Sequence, residues 1–469
     1  MSDIIPPKPA SRPEKVSLWQ HMQLFRKDIF ASQPERLYKA WMAEFKMPFF
    51  RSYFVNQPEL VKKVLNEDPD NFPKSEIIRG ALFSLLGDGV FVSNGEKWKQ
   101  QRRIIDPAFE GGRLRDVFPS MLGAGHAAIE RLAPLATDTP LEIEEQTSKL
   151  AADVIFRTLF SIPITDDDAK GVFENFRDYQ RTQPLMNVAS FFKLPQWMHL
   201  FQRDSTKQTS AKIRALLKKL TDDRAAEIAA GTAPDDLATK IMTTADPLTG
   251  DKFTGDEMVD QVAIFFLAGH ETSASALAWT LYLLALDQPA QARVAAEARA
   301  ASAEGNFTFK NLSKMPFTRN VFRESLRLYP PVPMMVRENL REETFRDRRI
   351  KVGSQIVLSP WHLGRHQRFW DKPDVFDPDR WDRPENKQPS RDAYIPFSTG
   401  PRVCTGAGFA MVEGVLLLAM LVKAFDFKCV DGEIPVPAAH LTVRARDGIH
   451  LRLIPRQDDR DTSETRTNE

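Results

Sequence analysis

The chain has 469 residues, 42% of them hydrophobic, and a formal net charge of +1. That length suits one large domain or two to three ordinary ones, and the near-neutral charge gives no bulk electrostatic reason to expect a nucleic-acid partner. The two cysteines, Cys404 and Cys429, are too few for a disulfide framework, so we expect a reducing, cytoplasmic location.

Composition changes only near the two ends of the chain. Residues 1–16 contain no apolar segment suited to a signal peptide or a membrane span, and we predict that they form a flexible N-terminal segment. One domain is predicted over residues 17–455, since neither a repeat nor a long low-complexity linker interrupts it. Residues 456–469 are charged, threonine-rich and nearly free of large apolar side chains, which predicts a disordered tail.

Helical periodicity dominates the predicted domain, and strand signals are few. Residues 48–55 are typical of a strand, and residues 57–66 of a helix. Alternating apolar residues on either side of Gly353-Ser354 predict a hairpin over residues 350–358. The pattern indicates a mainly α fold, a single large helical domain with small β-sheets near its ends.

An indole and a guanidinium lie one helical turn apart in Trp98-Lys99-Gln100-Gln101-Arg102. An N–H donor and a cation on one helix face suit a carboxylate ligand. Such a short motif is equally common as surface decoration, and Lys97 and Arg103 extend it into a basic cluster whose simplest interpretation is a solvated helix face.

The best-marked helix runs from Thr254 to about Leu286. Thr254 and Glu257 form a capping box, and the apolar surface that follows predicts burial over a length of roughly 50 Å. Ala268-Gly269-His270-Glu271-Thr272 interrupts this apolar run. In isolation the simplest interpretation is a packing glycine flanked by hydrogen-bonded polar groups.

Two further charged motifs follow. Glu324 and Arg327 share one face of a helix that ends at Pro330-Pro331, a spacing that usually gives only a solvated surface pair. Arg380 lies downstream in Phe376-Asp377-Pro378-Asp379-Arg380.

The most specific pattern is Phe397-Ser398-Thr399-Gly400-Pro401-Arg402-Val403-Cys404-Thr405-Gly406, directly before an apolar helical run. Unpaired N–H groups at a helix N-terminus stabilise a cysteine thiolate, and Arg402 adds a positive charge. Gly400 and Gly406 lack Cβ atoms, so backbone and a large planar ligand can approach the sulfur. The run itself, Phe409 to Val422, is about 14 residues long and contains Glu413, which predicts a core helix and not a membrane span.

From Trp98 to Gly406, these motifs resemble those of the cytochrome P450 family. The resemblance implies the P450 fold and haem b, with Cys404 as the ligand to iron and Phe397 and Gly406 among the haem-binding residues. It implies propionate-binding roles for a group of side chains: Trp98, Arg102, Arg402 and Arg337. It further implies that the central helix opens locally, with Thr272 delivering protons during O2 activation and Glu271 relaying them to solvent.

Other consequences of the resemblance concern support and partners. Arg380 should join Glu324 and Arg327 in a buried network that positions the cysteine loop, while His270 occupies a variable position and is interpreted as structural. The missing N-terminal span resembles the soluble, largely bacterial branch. We expect a monomer that receives electrons from separate proteins, such as a ferredoxin and its reductase, with the basic cluster around Trp98 as the docking face.

The resemblance implies a monooxygenase that hydroxylates or epoxidises a lipophilic compound such as a fatty acid or terpenoid. The predicted pocket side chains are mostly apolar: Leu82, Phe83, Leu86, Phe191, Phe192, Leu194, Ile264, Phe265, Met334, Met335 and Val336. Arg79 and Arg181 could pair with a substrate carboxylate, although arginine side chains more often face solvent. Two alternatives stay open: a peroxide-driven peroxygenase or isomerase on the same fold, and a non-catalytic haem sensor or carrier.

Overall fold

A computed structural model describes residues 3–46, 51–110, 112–182, 204–439 and 441–456. Over these ranges the chain is mainly helical with small sheets, as predicted. The helices are α1 (Leu18–Lys27), α2 (Pro58–Lys62), α3 (Glu76–Leu86), α4 (Gly95–Ile105), α5 (Arg113–Asp116), α6 (Phe118–Leu132), α7 (Ile143–Phe160), α8 (Asp167–Thr182), α9 (Asp204–Ala230), α10 (Leu237–Thr243), α11 (Gly255–Leu286), α12 (Gln288–Ala301), α13 (Pro316–Leu328), α14 (Pro360–Gly364), α15 (Lys387–Ala393) and α16 (Ala407–Ala424).

The strands are short. They are β1 (Met42–Lys46), β2 (Arg51–Val55), β3 (Pro140–Glu142), β4 (Met335–Glu338), β5 (Glu343–Phe345), β6 (Arg348–Ile350), β7 (Gln355–Leu358), β8 (Phe425–Cys429), β9 (Pro437–Ala439), β10 (Val443–Ala445) and β11 (His450–Pro455). The largest described sheet has the order β1-β2-β7-β4, with β2 parallel to β7. The others are β3-β11-β8 and the pairs β9-β10 and β5-β6.

The predicted hairpin over residues 350–358 is wrong. β6 pairs with β5 of its own small sheet, whereas β7 pairs with β2 and β4. Gly353, with a φ of 77°, makes the turn, and the N–H of Gly353 donates to the carbonyl of Asn339. The Asn339 side chain accepts from the N–H of Ser354. The turn therefore sends the chain from one sheet to another.

Helix α11 runs through the main hydrophobic core. The predicted capping box is present, because the Thr254 side chain accepts from Glu257 N–H and the Glu257 carboxylate accepts from Thr254 N–H. Trp279 is fully buried on this helix. Where α7 crosses α11, Gly269 permits the contact, since a Cβ there would lie 2.3 Å from Ile155 Cδ1.

Helix α16 is longer than the run identified in the sequence. Its 18 residues are long and apolar enough to cross a membrane by length and composition alone. In the fold, 61% of the helix is buried, and it packs against α6, α12 and α13. A Cβ on Gly414 would lie 2.2 Å from the Phe322 ring, so this glycine lets α13 approach closely. The helix thus lies in the core, as predicted.

The N-terminal segment lies against the domain and not apart from it. Ile4 accepts a hydrogen bond from Phe376 N–H at 2.9 Å, and the Pro7 carbonyl accepts one from the Tyr329 hydroxyl at 2.6 Å. Lys8 forms an ion pair with Asp374 at 2.6 Å. Several parts of the predictions lie outside the described residues: 48–50 of the first strand, Phe191, Phe192 and Leu194 of the pocket, and 457–469 of the tail.

Candidate active site

The cysteine loop is held by its own backbone. Cys404 N–H donates to the carbonyl of Phe397 at 2.9 Å, and Val403 N–H donates to that of Gly400 at 3.0 Å. Gly400 has a φ of 75°, and a Cβ there would lie 2.1 Å from the carbonyl oxygen of Leu65. Both the backbone angle and the close approach require glycine. The loop is therefore fixed by contacts that a larger residue would break.

Cys404 lies deep in the protein, yet its surface is accessible. Burial raises the pKa of its thiol, and the Gly406 N–H, Arg102 and Lys74 oppose that effect without cancelling it. The Cys404 side chain thus has accessible surface although it is surrounded by protein. This combination indicates that Cys404 faces a space inside the protein. The loop partly stabilises a thiolate, and a bound metal ion would complete the deprotonation.

A second accessible patch lies in the middle of α11. Ala268 is exposed and Thr272 half-buried in a helix that is otherwise almost wholly buried. The Thr272 hydroxyl donates to the Ala268 carbonyl at 2.5 Å. The local opening that the resemblance implied is not seen, because the helix is continuous from Gly255 to Leu286. The hydroxyl nevertheless lies at the accessible surface.

The two residues before Thr272 point to other neighbours. Glu271 is 4% exposed, its Oε1 accepts from Arg444 Nη2 at 2.6 Å, and its Oε2 accepts from the Thr442 hydroxyl at 3.1 Å. The Glu271 carboxylate therefore does not reach solvent directly. Any proton relay from it to solvent must pass Arg444 or Thr442. His270 is buried against Ser148 Oγ at 2.7 Å, and burial lowers its pKa to about 4. A neutral, packed imidazole agrees with the structural role predicted for it.

Cationic side chains gather near the cysteine loop. Arg402 donates to the Ser93 carbonyl and the Asn94 side chain, and its guanidinium lies 4.1 Å from the Trp98 ring centroid. Arg102 donates to the Val403 carbonyl at 2.8 Å, directly beside Cys404.

Two of these cations are strongly desolvated. Arg337 is 4% exposed, and burial lowers its pKa to about 10. Burial likewise lowers the pKa of Arg402 to about 9. Among the described residues, no carboxylate forms an ion pair with either guanidinium. Buried positive charges without acids indicate that the site accepts an anionic ligand.

Glu324, Arg327 and Arg380 meet in one fully buried network. Arg327 binds Glu324 through two hydrogen bonds of 2.7 and 2.9 Å, and Arg380 Nε donates to the same carboxylate at 3.1 Å. Burial favours the neutral acid, but the two guanidiniums outweigh it and lower the pKa of Glu324. Arg327 also donates to the carbonyls of Gly364, Pro373 and Val375, so the network ties α13 to the segment that leads toward the cysteine loop.

The opposite side of α13 contacts the loop itself. Phe322 and Leu326 pack with Ala276 of α11 and with Phe397. The network and the loop are thus joined through one helix.

Comparison with known proteins agrees with this arrangement. The family pattern described as "Cytochrome P450" matches residues 9–451. The chain belongs to the cytochrome P450 family. Curated relatives include a cyclooctat-9-en-7-ol 5-monooxygenase of Streptomyces melanosporofaciens, 30% identical over 90% of both chains. Cytochrome P450 4A14 of Rattus norvegicus is 30% identical over 84% of this chain and 80% of its own.

Relatives also include the protein LUTEIN DEFICIENT 5, chloroplastic, of Arabidopsis thaliana, 28% identical over 93% of this chain and 76% of its own. A solved structure, the cytochrome P450DA heme domain, superposes with a TM-score of 0.80 over 97% of this chain and 98% of the other, at 22% identity. That likeness confirms the fold. The protein is a cytochrome P450 monooxygenase, and its family implies a haem-thiolate cofactor.

The residues present in this P450 fit haem. Cys404 and Ala268 supply accessible surface inside the fold, as a large planar ligand needs. A Cβ on Gly406 would lie 3.9 Å from Cys404 Sγ. Because glycine has no Cβ, the space beside the sulfur stays open to a planar ligand. Arg337 and Arg402 offer charge for two propionates. Cys404 would ligate the iron, and thiolate donation favours O–O cleavage.

The basic cluster around Trp98 is largely neutralised in the P450 fold. Lys97 pairs with Asp88 at 2.7 Å and Lys99 with Glu96 at 3.0 Å. Arg103 binds Asp246 through two hydrogen bonds. Arg102 pairs with Asp106 at 2.8 Å. The sequence of this helix, taken alone, therefore overstates the positive charge that its face offers to an electron donor.

Three residues near the P450 site were not predicted as functional. Arg444 holds Glu271, and Lys74 lies near Arg402 and Arg337. Glu413 of α16 accepts a hydrogen bond from Ser273 at 2.5 Å, and burial raises its pKa to about 8. The sequence did carry a signal that Glu413 is unusual, because it is the single acid in an apolar run. The sequence carries no comparable signal for Lys74 or Arg444.

Proposed function

We propose that this P450 inserts one oxygen atom of O2 into a lipophilic compound, such as a fatty acid or terpenoid, by hydroxylation or epoxidation. The observation that supports it is the accessible patch of α11, which combines the Thr272 hydroxyl with apolar residues spaced along the same helix face. Phe265 and Ala268 lie on the same helix, and Met334 is half-buried. Such a surface favours hydrocarbon over charged substrates.

Some of the predicted pocket side chains have accessible surface in the structure, and others are buried. Phe83 is 51% exposed, whereas Leu82, Leu86 and Ile264 are buried in the core and act as packing residues. Arg79 is paired with Asp88 at 3.0 Å, which makes it a poor anchor for a substrate carboxylate. The side chain of Arg181 lies outside the described residues.

Each protein group has a defined part in the proposed reaction. Haem, when bound, supplies O2 activation and oxygen-atom transfer. Cys404 would hold the iron. The Thr272 hydroxyl, fixed by the Ala268 carbonyl, can accept and donate a proton at the accessible face of α11. Glu271, held by Arg444 and Thr442, supplies the adjacent acid.

Haem absorbance provides a direct test of the substrate class. A panel of C12-type fatty acids, terpenes and terpene alcohols is titrated into the ferric protein, and the Soret band is followed. We expect several members to move the band with saturable dependence on their concentration. The relative named a cyclooctat-9-en-7-ol 5-monooxygenase is a reason to include cyclic alcohols. A band unmoved by the whole panel would contradict the proposed substrate class.

The source of electrons separates the proposal from a peroxygenase. We propose that separate proteins, such as a ferredoxin and its reductase, supply the electrons to a monomeric, cytoplasmic enzyme. Turnover with NAD(P)H and redox proteins should exceed turnover with hydrogen peroxide, because Thr272 and Glu271 suit stepwise proton delivery. The opposite ranking favours the peroxygenase. Rearrangement of substrate without oxygen incorporation favours the isomerase, and tight ligand binding without product favours the carrier.

A further inference from the structure

Three carboxylates and one guanidinium form a cluster where the start of α7 meets β10 and α11. The acids are Glu142 and Glu144 at the start of α7 and Glu271 of α11, and the cation is Arg444 of β10. Burial lowers the pKa of the Arg444 guanidinium, but the charges of the three carboxylates outweigh it and raise that pKa. All three acids therefore lie close enough to act on the same cation.

Two of the three acids have strong hydrogen-bond donors. The Glu142 carboxylate accepts from two backbone N–H groups of α7, at 2.8 and 2.7 Å, and it lies at a helix N-terminus, which favours negative charge. The Glu271 carboxylate accepts from the Arg444 guanidinium at 2.6 Å and from the Thr442 hydroxyl at 3.1 Å. Donors of this kind stabilise the charged form of a carboxylate.

Glu144 has the weakest support for a negative charge. Within the described residues its carboxylate accepts one hydrogen bond, from Ala445 N–H at 3.0 Å. Burial raises its pKa to about 7, although the Ala445 N–H and Arg444 oppose this effect. The charges of Glu142 and Glu271 add to the effect of burial. Glu144 is therefore the acid of this cluster that holds a proton near neutral pH.

The proton on Glu144 is coupled to the charge of Glu271 through the shared cation. When Glu144 loses its proton, its new charge attracts Arg444 and repels the Glu271 carboxylate. Glu271 then takes up a proton more readily, as expected for two interacting acids that titrate together. The Arg444 side chain is 32% exposed, so water can reach the cluster.

We propose that Glu144 is a positioning residue of the proton supply, which stores one proton and controls, through Arg444, whether Glu271 takes up a proton. In the exchange the O–H bond of the Glu144 carboxyl breaks, water carries the proton, and an O–H bond forms on Glu271. Arg444 keeps its charge throughout. This role rests on the proposed function, in which Glu271 serves Thr272. A structural acid that only ties α7 to β10 is the competing explanation, and glutamine can accept the same hydrogen bond from Ala445.

Infrared spectroscopy of the ferric holoenzyme tests the proton sharing without turnover. The carbonyl stretch of protonated carboxyls is followed as pH is raised, and only a band that Glu144→Gln removes is assigned to Glu144. We expect the wild-type band to disappear as pH passes about 7. In Glu271→Gln it should disappear about one pH unit lower, because a nearby negative charge is gone. A band that disappears at the same pH in Glu271→Gln and wild type overturns the proposal.

The pH profile of peroxide release tests the effect on proton supply. In the wild type, the peroxide released per NAD(P)H consumed should change as pH passes about 7, and Glu144→Gln should lose that change. Glu145→Gln is the matched control, because Glu145 is the next residue of α7 and pairs with Lys149 at 3.0 Å near the surface. It should keep the wild-type profile. A Glu144→Gln profile that coincides with that of wild type overturns the proposal.

Two other outcomes are kept apart by the infrared measurement. If Glu144→Gln fails to fold, Glu144→Asp replaces it: the shorter acid changes the hydrogen bond to Ala445, so its band should disappear at a different pH. A band that does not move in Glu144→Asp overturns the proposal. If the proposed function fails, no variant forms oxygenated product, yet the infrared shift in Glu271→Gln persists and still supports the proton sharing.

Discussion

Glu271 and Arg444 form a 2.6 Å ion pair that joins the centre of α11 to the strand pair near the C-terminus. The carboxylate is 4% exposed, while the guanidinium side chain is 32% exposed. The pair thus links the acid beside Thr272 to a side chain that has accessible surface. Arg444 also lies near Glu144, whose pKa burial raises to about 7.

Removal of Arg444 should impair both stability and proton supply. Arg444→Leu leaves Glu271 buried without its cation, which costs about 3–5 kcal/mol. We expect a lower melting temperature and more peroxide released per NAD(P)H consumed. Glu271→Gln combined with Arg444→Leu should recover most of the stability but not the coupling. If the single and double variants melt alike, the pair is not the source of the stability.

Replacement of the iron ligand gives the clearest spectroscopic result. Cys404→Ser should abolish the red-shifted absorption of the reduced, carbon-monoxide-bound protein, because that shift requires thiolate donation to iron. Cys429→Ser is the control, since Cys429 lies on β8 and packs at the edge of the core. A normal spectrum in Cys404→Ser would remove the basis of the assignment.

The buried network should be far more sensitive than a surface pair. Glu324→Ala leaves Arg327 and Arg380 buried without an anion, at a cost of about 3–5 kcal/mol. We expect little haem-containing protein. Asp379→Ala, which breaks the half-exposed pair with Arg293, should cost less than about 1 kcal/mol. The carbon-monoxide difference spectrum measures the haem-containing protein, and thermal unfolding measures stability. Equal losses of haem and stability in the two variants would show that burial does not make the network more important than the surface pair.

Proton delivery can be tested against a threonine in the same backbone setting. Thr272→Ala should still bind substrate but divert reducing equivalents to peroxide, because the accessible hydroxyl is gone. Thr280 makes the same hydrogen bond to the carbonyl four residues earlier, at 2.6 Å, yet it is fully buried. Thr280→Ala should therefore lower stability without raising the fraction of peroxide. A carrier would show no change of ligand affinity in either variant and no product.

Much of this site follows from local sequence. The capping box at Thr254, the cysteine loop and the Glu324–Arg327 spacing are short patterns whose geometry is set within a few residues, and each appears in the structure. Contacts between distant segments were not predictable in this way. Arg444 lies 173 residues from Glu271, and no periodicity connects them.

The wrong hairpin has a similar cause. Alternation over residues 350–358 identifies strands, but it does not say which strands they pair with. Asn339 lies outside the pattern and holds this turn, since its main-chain carbonyl accepts from Gly353 N–H and its side chain accepts from Ser354 N–H.

Glu413 predicts an unusual pH dependence of stability. Its pKa is about 8 in the folded protein against an ordinary value of 4.5, because burial between α16 and α11 disfavours the charge. The folded state therefore holds a proton that the unfolded state releases. From about pH 4.5 to 8 this residue destabilises the fold progressively as pH rises, by a few kcal/mol in total.

Glu413→Gln removes that proton equilibrium and keeps an oxygen for the Ser273 hydroxyl. The melting temperature of the variant should fall less between pH 5 and 8 than that of wild type, and the two curves should lie closest at the acid end. Glu304→Gln, at an exposed turn, is the control and should follow the wild-type curve. Parallel curves for Glu413→Gln and wild type would mean that the carboxyl is already ionised in the folded protein, with a cation or water compensating its charge.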